Sequence, residues 1–296
     1  MLTKLWLYEM RACGRILLPL YGALILLSLL LGFLGRFSND AFGVILPILL
    51  IIFFGLLVAI FFVTLILLIQ RFWRNLLKSE GYLMFTLPVS AYQLVGAKLL
   101  SACCWFILGG IAVSVAMLAL FLQQDFDMVR LFFRDFYDGA LVFIAPWRAN
   151  GATVYQLLQF LLIGLSNMAQ QILTLYAALS ISQIPNRFRV PVAYGSFLAL
   201  NYVQNFAATG LSRAIFAMDD VGKAFAALVS SPLRPFFLSL LAPYPSSFYN
   251  TLPTLTPADI TLIATYLNFI LAVGLITNLL YFLLSGALLK NKLNLL

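Results

Sequence analysis

The 296-residue chain contains no histidine. Without imidazole the commonest metal ligand and general base is missing, so His-based metal and acid–base chemistry are largely excluded. Three cysteines, Cys13 and the adjacent Cys103 and Cys104, fit no metal spacing. Neighbours on a helix point about 100° apart, and packing is their expected role. Charge is scarce too: Asp, Glu, Lys and Arg make up 9% of the chain, against about 25% in soluble domains, which excludes a separate soluble domain. Glycine-rich phosphate loops, coiled-coil heptads, low-complexity tracts and a convincing internal repeat are all absent, so any energy source lies on another chain. No carboxylate pair falls within an apolar run. Lys98 and Ser101 form a Ser–Lys pair on consecutive turns but read as membrane-boundary residues. The expectation is a non-enzyme with no catalytic residue, metal or cofactor of its own.

What is present is apolar, at 63% of the residues. A bilayer core of about 30 Å takes roughly 20 apolar residues per helix. Six spans are predicted, at 16–34, 44–69, 99–122, 156–181, 190–210 and 260–289, within a single transmembrane domain over 1–296. The fold class is an all-α polytopic membrane protein. The first apolar run is longer than a secretory core and lacks a small-residue cleavage site, so it reads as a retained span. Ahead of it, residues 1–15 read as an interfacial helix: Lys4, Arg11 and Arg15 fall on one side, Leu2, Trp6, Met10 and Cys13 on the other, and Glu9 at the boundary. Pro19, Pro47 and Pro191 are placed near span starts, where a missing N–H costs little.

Basic residues resist translocation, so their distribution sets orientation. With the N-terminus inside, Lys4, Arg11, Arg15, Arg71, Arg74, Lys78, Lys98, Arg187, Arg189, Lys290 and Lys292 fall on the cytoplasmic side. The other side is nearly neutral. The chain's net charge of +8 is thereby explained by topology and asks for no nucleic-acid partner. Both termini are predicted to be cytoplasmic. The outer segment 123–155 reads as an interfacial helix and turn. In the outer segment 211–259, the proline-cut run Ala224–Leu241 reads as a re-entrant or surface hairpin before the last span, because a crossing there would export Lys290 and Lys292.

The segment 70–98 is the informative one. Arg71, Arg74 and Lys78 recur at i, i+3 and i+7, one basic stripe if span 2 continues as a helix. Ser79 to Gly81 offer a new start, Tyr82 to Phe85 a short apolar turn, and Pro88 a stop. Ser90 and Gln93 form a capping box that opens the helix of span 3. The pattern predicts helix, short transverse helix, helix. Tyr82, Leu83 and Phe85 with the Glu80 carboxylate have the composition of an interface anchor.

Glu80-Gly81-Tyr82, Thr86-Leu87-Pro88-Val89-Ser90, Leu94 and Lys98 resemble the cytoplasmic coupling segment of type-2 ABC exporter permeases, and the layout of the whole chain is similar to theirs. The resemblance implies an exporter permease in a bacterial cell membrane, with Glu80, Gly81, Tyr82, Leu83, Phe85, Leu87 and Pro88 seated in an ATPase subunit. It also implies two ATPase copies, which bind ATP and Mg, and a second permease, identical or a sibling. Polar stripes Asn167, Gln170, Gln171 and Thr174, and Asn201, Gln204 and Asn205, with Asn268 and Asn278, read either as interhelical glue or as a cargo path or dimer seam for an amphiphilic cargo. Gly110 and Ser114 would permit close helix approach. The alternative function is a non-transporting immunity or regulatory membrane protein that binds a peptide.

Overall fold

In lipid every backbone donor and acceptor has to be satisfied within the chain, so long apolar runs become long helices. The computed structural model describes residues 2–36, 45–77, 90–122, 153–185, 188–224 and 257–293, with the single residues 130, 134, 137 and 141. Six long helices carry the fold: α1 (Leu2–Arg36), α2 (Ile45–Phe72), α3 (Ala91–Leu122), α4 (Thr153–Ile181), α5 (Arg189–Ile215) and α6 (Pro257–Leu293). A five-residue π turn, Trp73–Leu77, continues α2. No strand occurs among the described residues.

Among the described residues five helices, all but α5, are long and apolar enough to cross a membrane. The chain thus has the build of a multi-pass membrane protein. Helix α5 covers the predicted span 190–210 and at 27 residues is long enough, but Asn201, Gln204, Asn205 and Arg213 dilute its apolar content below that of the others.

Two expectations for α1 meet a different structure. One uninterrupted helix of 35 residues, about 52 Å long, replaces an interfacial helix followed by a span; nothing marks a helix end at Arg15. Pro19 consequently lies inside the helix rather than near its start, and one backbone hydrogen bond to the preceding turn is forgone. Pro47 and Pro191 do fall in first turns, as predicted. The described residues Arg130, Arg134, Tyr137 and Leu141 are helical and exposed, spaced as one helix face.

The chain divides into two compact units: Met1–Val129 with Met168–Leu200 and Leu279–Leu296, and Arg130–Asn167 with Asn201–Asn278. In the first unit α1 and α3 run parallel and pack closely. Gly14 admits the Trp105 ring, whose atoms would come within 3.2 Å of any added Cβ. Tyr21 donates to the Trp105 carbonyl (3.2 Å), and Gly109 leaves room for the Tyr21 hydroxyl. Cys13, Leu17, Leu24 and Leu31 continue this seam and meet Phe53 and Ile60 of α2. A second cluster joins Leu68, Phe72 and Leu76 to Leu94 and Val95 of α3, Tyr176 of α4 and Leu289 of α6; Phe72 and Tyr176 stack with centroids 4.1 Å apart. At Gly286 a Cβ would overlap the Tyr92 ring, so glycine sets how closely α3 and α6 approach. Gly110, by contrast, has nothing among the described residues within reach of an added Cβ, and the Ser114 hydroxyl donates back to the Gly110 carbonyl (2.9 Å). The small residue that α1 uses is Gly109, not the predicted Gly110–Ser114 pair.

In the second unit Ile260, Ile263 and Leu267 of α6 pack with Ala224, Phe160 and Ile163. Phe216 sits edge-on to Tyr266 at 5.2 Å. Its polar contacts form an amide seam: Asn268 accepts from Tyr155 and from Gln159 (2.7 Å), and Asn278 donates to Ser166 Oγ (2.9 Å) and O (3.0 Å). Gly274 leaves space for the Ser166 hydroxyl.

Candidate functional site

The inward stripe of α1, read from its N-terminal end, begins with an acid. Glu9 and Lys98 are each only 5% exposed. Lys98 Nζ donates to Glu9 Oε1 at 2.7 Å, Arg71 Nη1 to Glu9 Oε2 at 3.0 Å, and Lys98 Nζ also to the Arg71 carbonyl at 3.3 Å. Asn75 Nδ2 stands 3.5 Å from Glu9 Oε1. One carboxylate therefore links the start of α1, the end of α2, the π turn and the start of α3. Three helix ends meet here because α1 and α3 run in the same direction and α2, which lies between them in the sequence, runs back.

The local sequence explains the assembly. On α1, Glu9 is one turn before Cys13 and two before Leu17, so it inherits the apolar stripe that packs on α3. Lys98 stands one turn before Ala102 and two before Trp105 on the matching face of α3, both buried. Burying a carboxylate and an ammonium costs several kcal/mol per ion unless each finds a partner of good geometry. Here both do. The Tyr176 hydroxyl reaches the Lys98 carbonyl at 3.5 Å, adding α4 to the same junction.

Glu9 is thus not at the polar–apolar boundary of α1 but on its buried side, and Lys98 and Ser101, one turn apart on α3, are buried as well. Lys98 Nζ is turned to Glu9 and the Arg71 carbonyl. Lys4, Arg11 and Arg15 are exposed and Cys13 is buried, as the helical reading predicts. Of the basic stripe, Arg71 is the member that enters the ion pair, Arg74 is exposed, and Lys78 lies outside the described residues.

The capping box is present: the Ser90 N–H donates to Gln93 Oε1 (3.2 Å) and the Gln93 N–H to Ser90 Oγ (3.3 Å), so α3 starts where predicted. Glu80, Gly81, Tyr82, Leu83, Phe85, Leu87 and Pro88 fall outside the described residues, as does the hairpin after Ala224. The described helices bracket them, α2 and its π turn ending at Leu77 and α3 starting after Ser90.

The amide stripes divide. Gln170 and Thr174 are buried, whereas Asn167 and Gln171 are exposed. On α5, Asn201 and Gln204 are half-buried and Asn205 is exposed; Gln204 Oε1 is a buried atom without a hydrogen-bond partner among the described residues. Gln170 and Gln171 belong to the first unit, and Asn167, Asn201, Gln204 and Asn205 to the second. Gln156 and Gln159, 3% and 2% exposed, are buried amides outside the predicted stripes. Their i, i+3 spacing at the start of span 4 was the available signal. For Asn268 and Asn278, the interhelical-glue reading is the one their bonds support.

Comparison of the chain with models of known families, with curated proteins and with solved structures returned no match in any of the three.

Proposed function

We propose that the chain is the permease subunit of an ATP-driven exporter of the type-2 ABC kind, in a bacterial cell membrane, moving an amphiphilic cargo. Six spans put both termini in the cytoplasm, α5 serving as the polar fifth span. Residues 80–88 seat in a separate ATPase, and two permeases and two ATPases make the transporter. The exposed Asn167 and Asn205, and Gln204 Oε1, which has no partner among the described residues, support a cargo path or dimer seam, since buried or lipid-level amides need partners.

The observation that carries the reading is the mutual linkage of the two helix ends that flank 78–89. A force applied to that segment reaches α2 through the π turn and α3 through its capped start, and the Glu9 pair passes it to α1. Such a junction is suited to moving three helices together, with no catalytic group required.

The test is co-purification with a soluble partner bearing G-x-x-x-x-G-K-[ST], followed by ATP turnover of the pair. Tyr82→Ala and Glu80→Lys are expected to abolish permease-dependent turnover and transport while membrane insertion is unchanged. Normal turnover in both variants would place the coupling contact elsewhere; no association with the wild type would remove the exporter reading.

A further inference from the structure

Within the first unit, one face each of α2, α4 and α5 bounds an elongated cavity of about 1040 Å³. That is at the top of the roughly 300–1,000 Å³ range of small-molecule sites and suits a two-chain amphiphile. Its α2 wall runs from Phe61 through Leu65 to Trp73 and Arg74. From Phe61 to Arg74 a helix rises about 20 Å, which is one leaflet's share of the bilayer core, about 15 Å, with room left for a headgroup.

The polarity along this wall is ordered. The deep end is hydrocarbon, and Arg74 is the sole charged side chain among the described residues that line the cavity. Arg74 is exposed, and Trp73 beside it is the residue type that settles at headgroup level. On the opposite walls Gln171 and Tyr194 are exposed as well, so the cavity is open along its side. A soluble polar ligand would find hydrocarbon along most of its length. A zwitterionic lipid would bring its own cation to a guanidinium.

We propose that this cavity is a binding site for an anionic phospholipid of the leaflet on the Arg74 side, with acyl chains along Phe61 and Leu65 and the phosphate at Arg74. The site belongs to one chain and is independent of any ATPase, so it stands or falls separately from the transport reading.

The test uses the purified full-length chain in mild detergent, with mixed micelles of phosphatidylglycerol or phosphatidylcholine, read by native mass spectrometry and by the thermal unfolding midpoint. Wild type is expected to retain phosphatidylglycerol about tenfold more tightly than phosphatidylcholine, the scale of one charge-assisted contact. Arg74→Gln is expected to lose that preference while still taking up lipid, and Ala193→Trp, which fills the cavity from α5, to lose both lipids. Inorganic phosphate at the same concentration should leave the midpoint unmoved. Equal retention of the two lipids by wild type, an unchanged preference in Arg74→Gln, or a midpoint that inorganic phosphate alone raises would each overturn the proposal. Should Ala193→Trp fail to fold, the Arg74→Gln arm decides, since its side chain is exposed.

Discussion

The two units join their helices with different chemistry. In the first, a carboxylate with two cations links α1, α2 and α3 at 2.7 and 3.0 Å; in the second, neutral amides and hydroxyls bridge α4 and α6 at 2.5 to 3.4 Å. The distances overlap, but the consequences of loss differ. A neutral bond between membrane helices is worth around 0.6 kcal/mol, because a separated amide finds other partners. A buried ion that loses its counterion has no such recourse, and breaking one side of a buried pair costs about 3–5 kcal/mol. The first arrangement therefore suits a junction that has to move as a piece, and the second suits helices that only need to stay adjacent.

The comparison is broken most severely at Glu9. Glu9→Leu is expected to lower stability by about 3–5 kcal/mol, measured by denaturant unfolding in detergent, because it strands Lys98. The double variant Glu9→Leu/Lys98→Met should recover most of that loss, since apolar replacement of a whole pair is often neutral. If stability returns in the double variant while ATPase coupling does not, the pair serves force transmission; if both return, it serves packing alone. Next in size is Ser90→Ala, expected to cost about 1 kcal/mol as a lost N-cap and to be visible as faster amide exchange in the first turn of α3. The smallest effect is predicted for Asn268→Leu, about 0.6 kcal/mol by the same unfolding measurement. A loss there as large as at Glu9 would erase the distinction between the units.

Much of this was legible from residues. Apolar run lengths placed all six helices, and Ser90 with Gln93 marked the start of α3 because a capping box is a local device whose two bonds lie within one turn. The exposed side of α1 followed from 100° spacing. Glu9 was misplaced for a physical reason: a carboxylate next to an apolar stripe looks like its edge until its counterions are known, and those come from other helices. For Lys98 the spacing to Ala102 and Trp105 does put it on a buried face of α3, but its counterion on α1 has no local signature. Distinguishing Gly109 from Gly110 required the phase of α3 against Tyr21, and the π turn left no compositional trace. The amides divide by helical phase: buried Gln170 and exposed Gln171 are neighbours in sequence and point about 100° apart.

The Glu9 ion pair also has a timetable. Arg71 follows Glu9 by 62 residues and Lys98 by 89. At about 5–20 residues per second, the carboxylate is made some 4–18 s before its lysine. Until Arg71 follows, α1 carries an unmatched anion, and until Lys98 follows, its seam with α3 is unfinished. The arginine arrives first, on the returning helix, and the lysine last; the order of synthesis is then also the order in which the junction is closed.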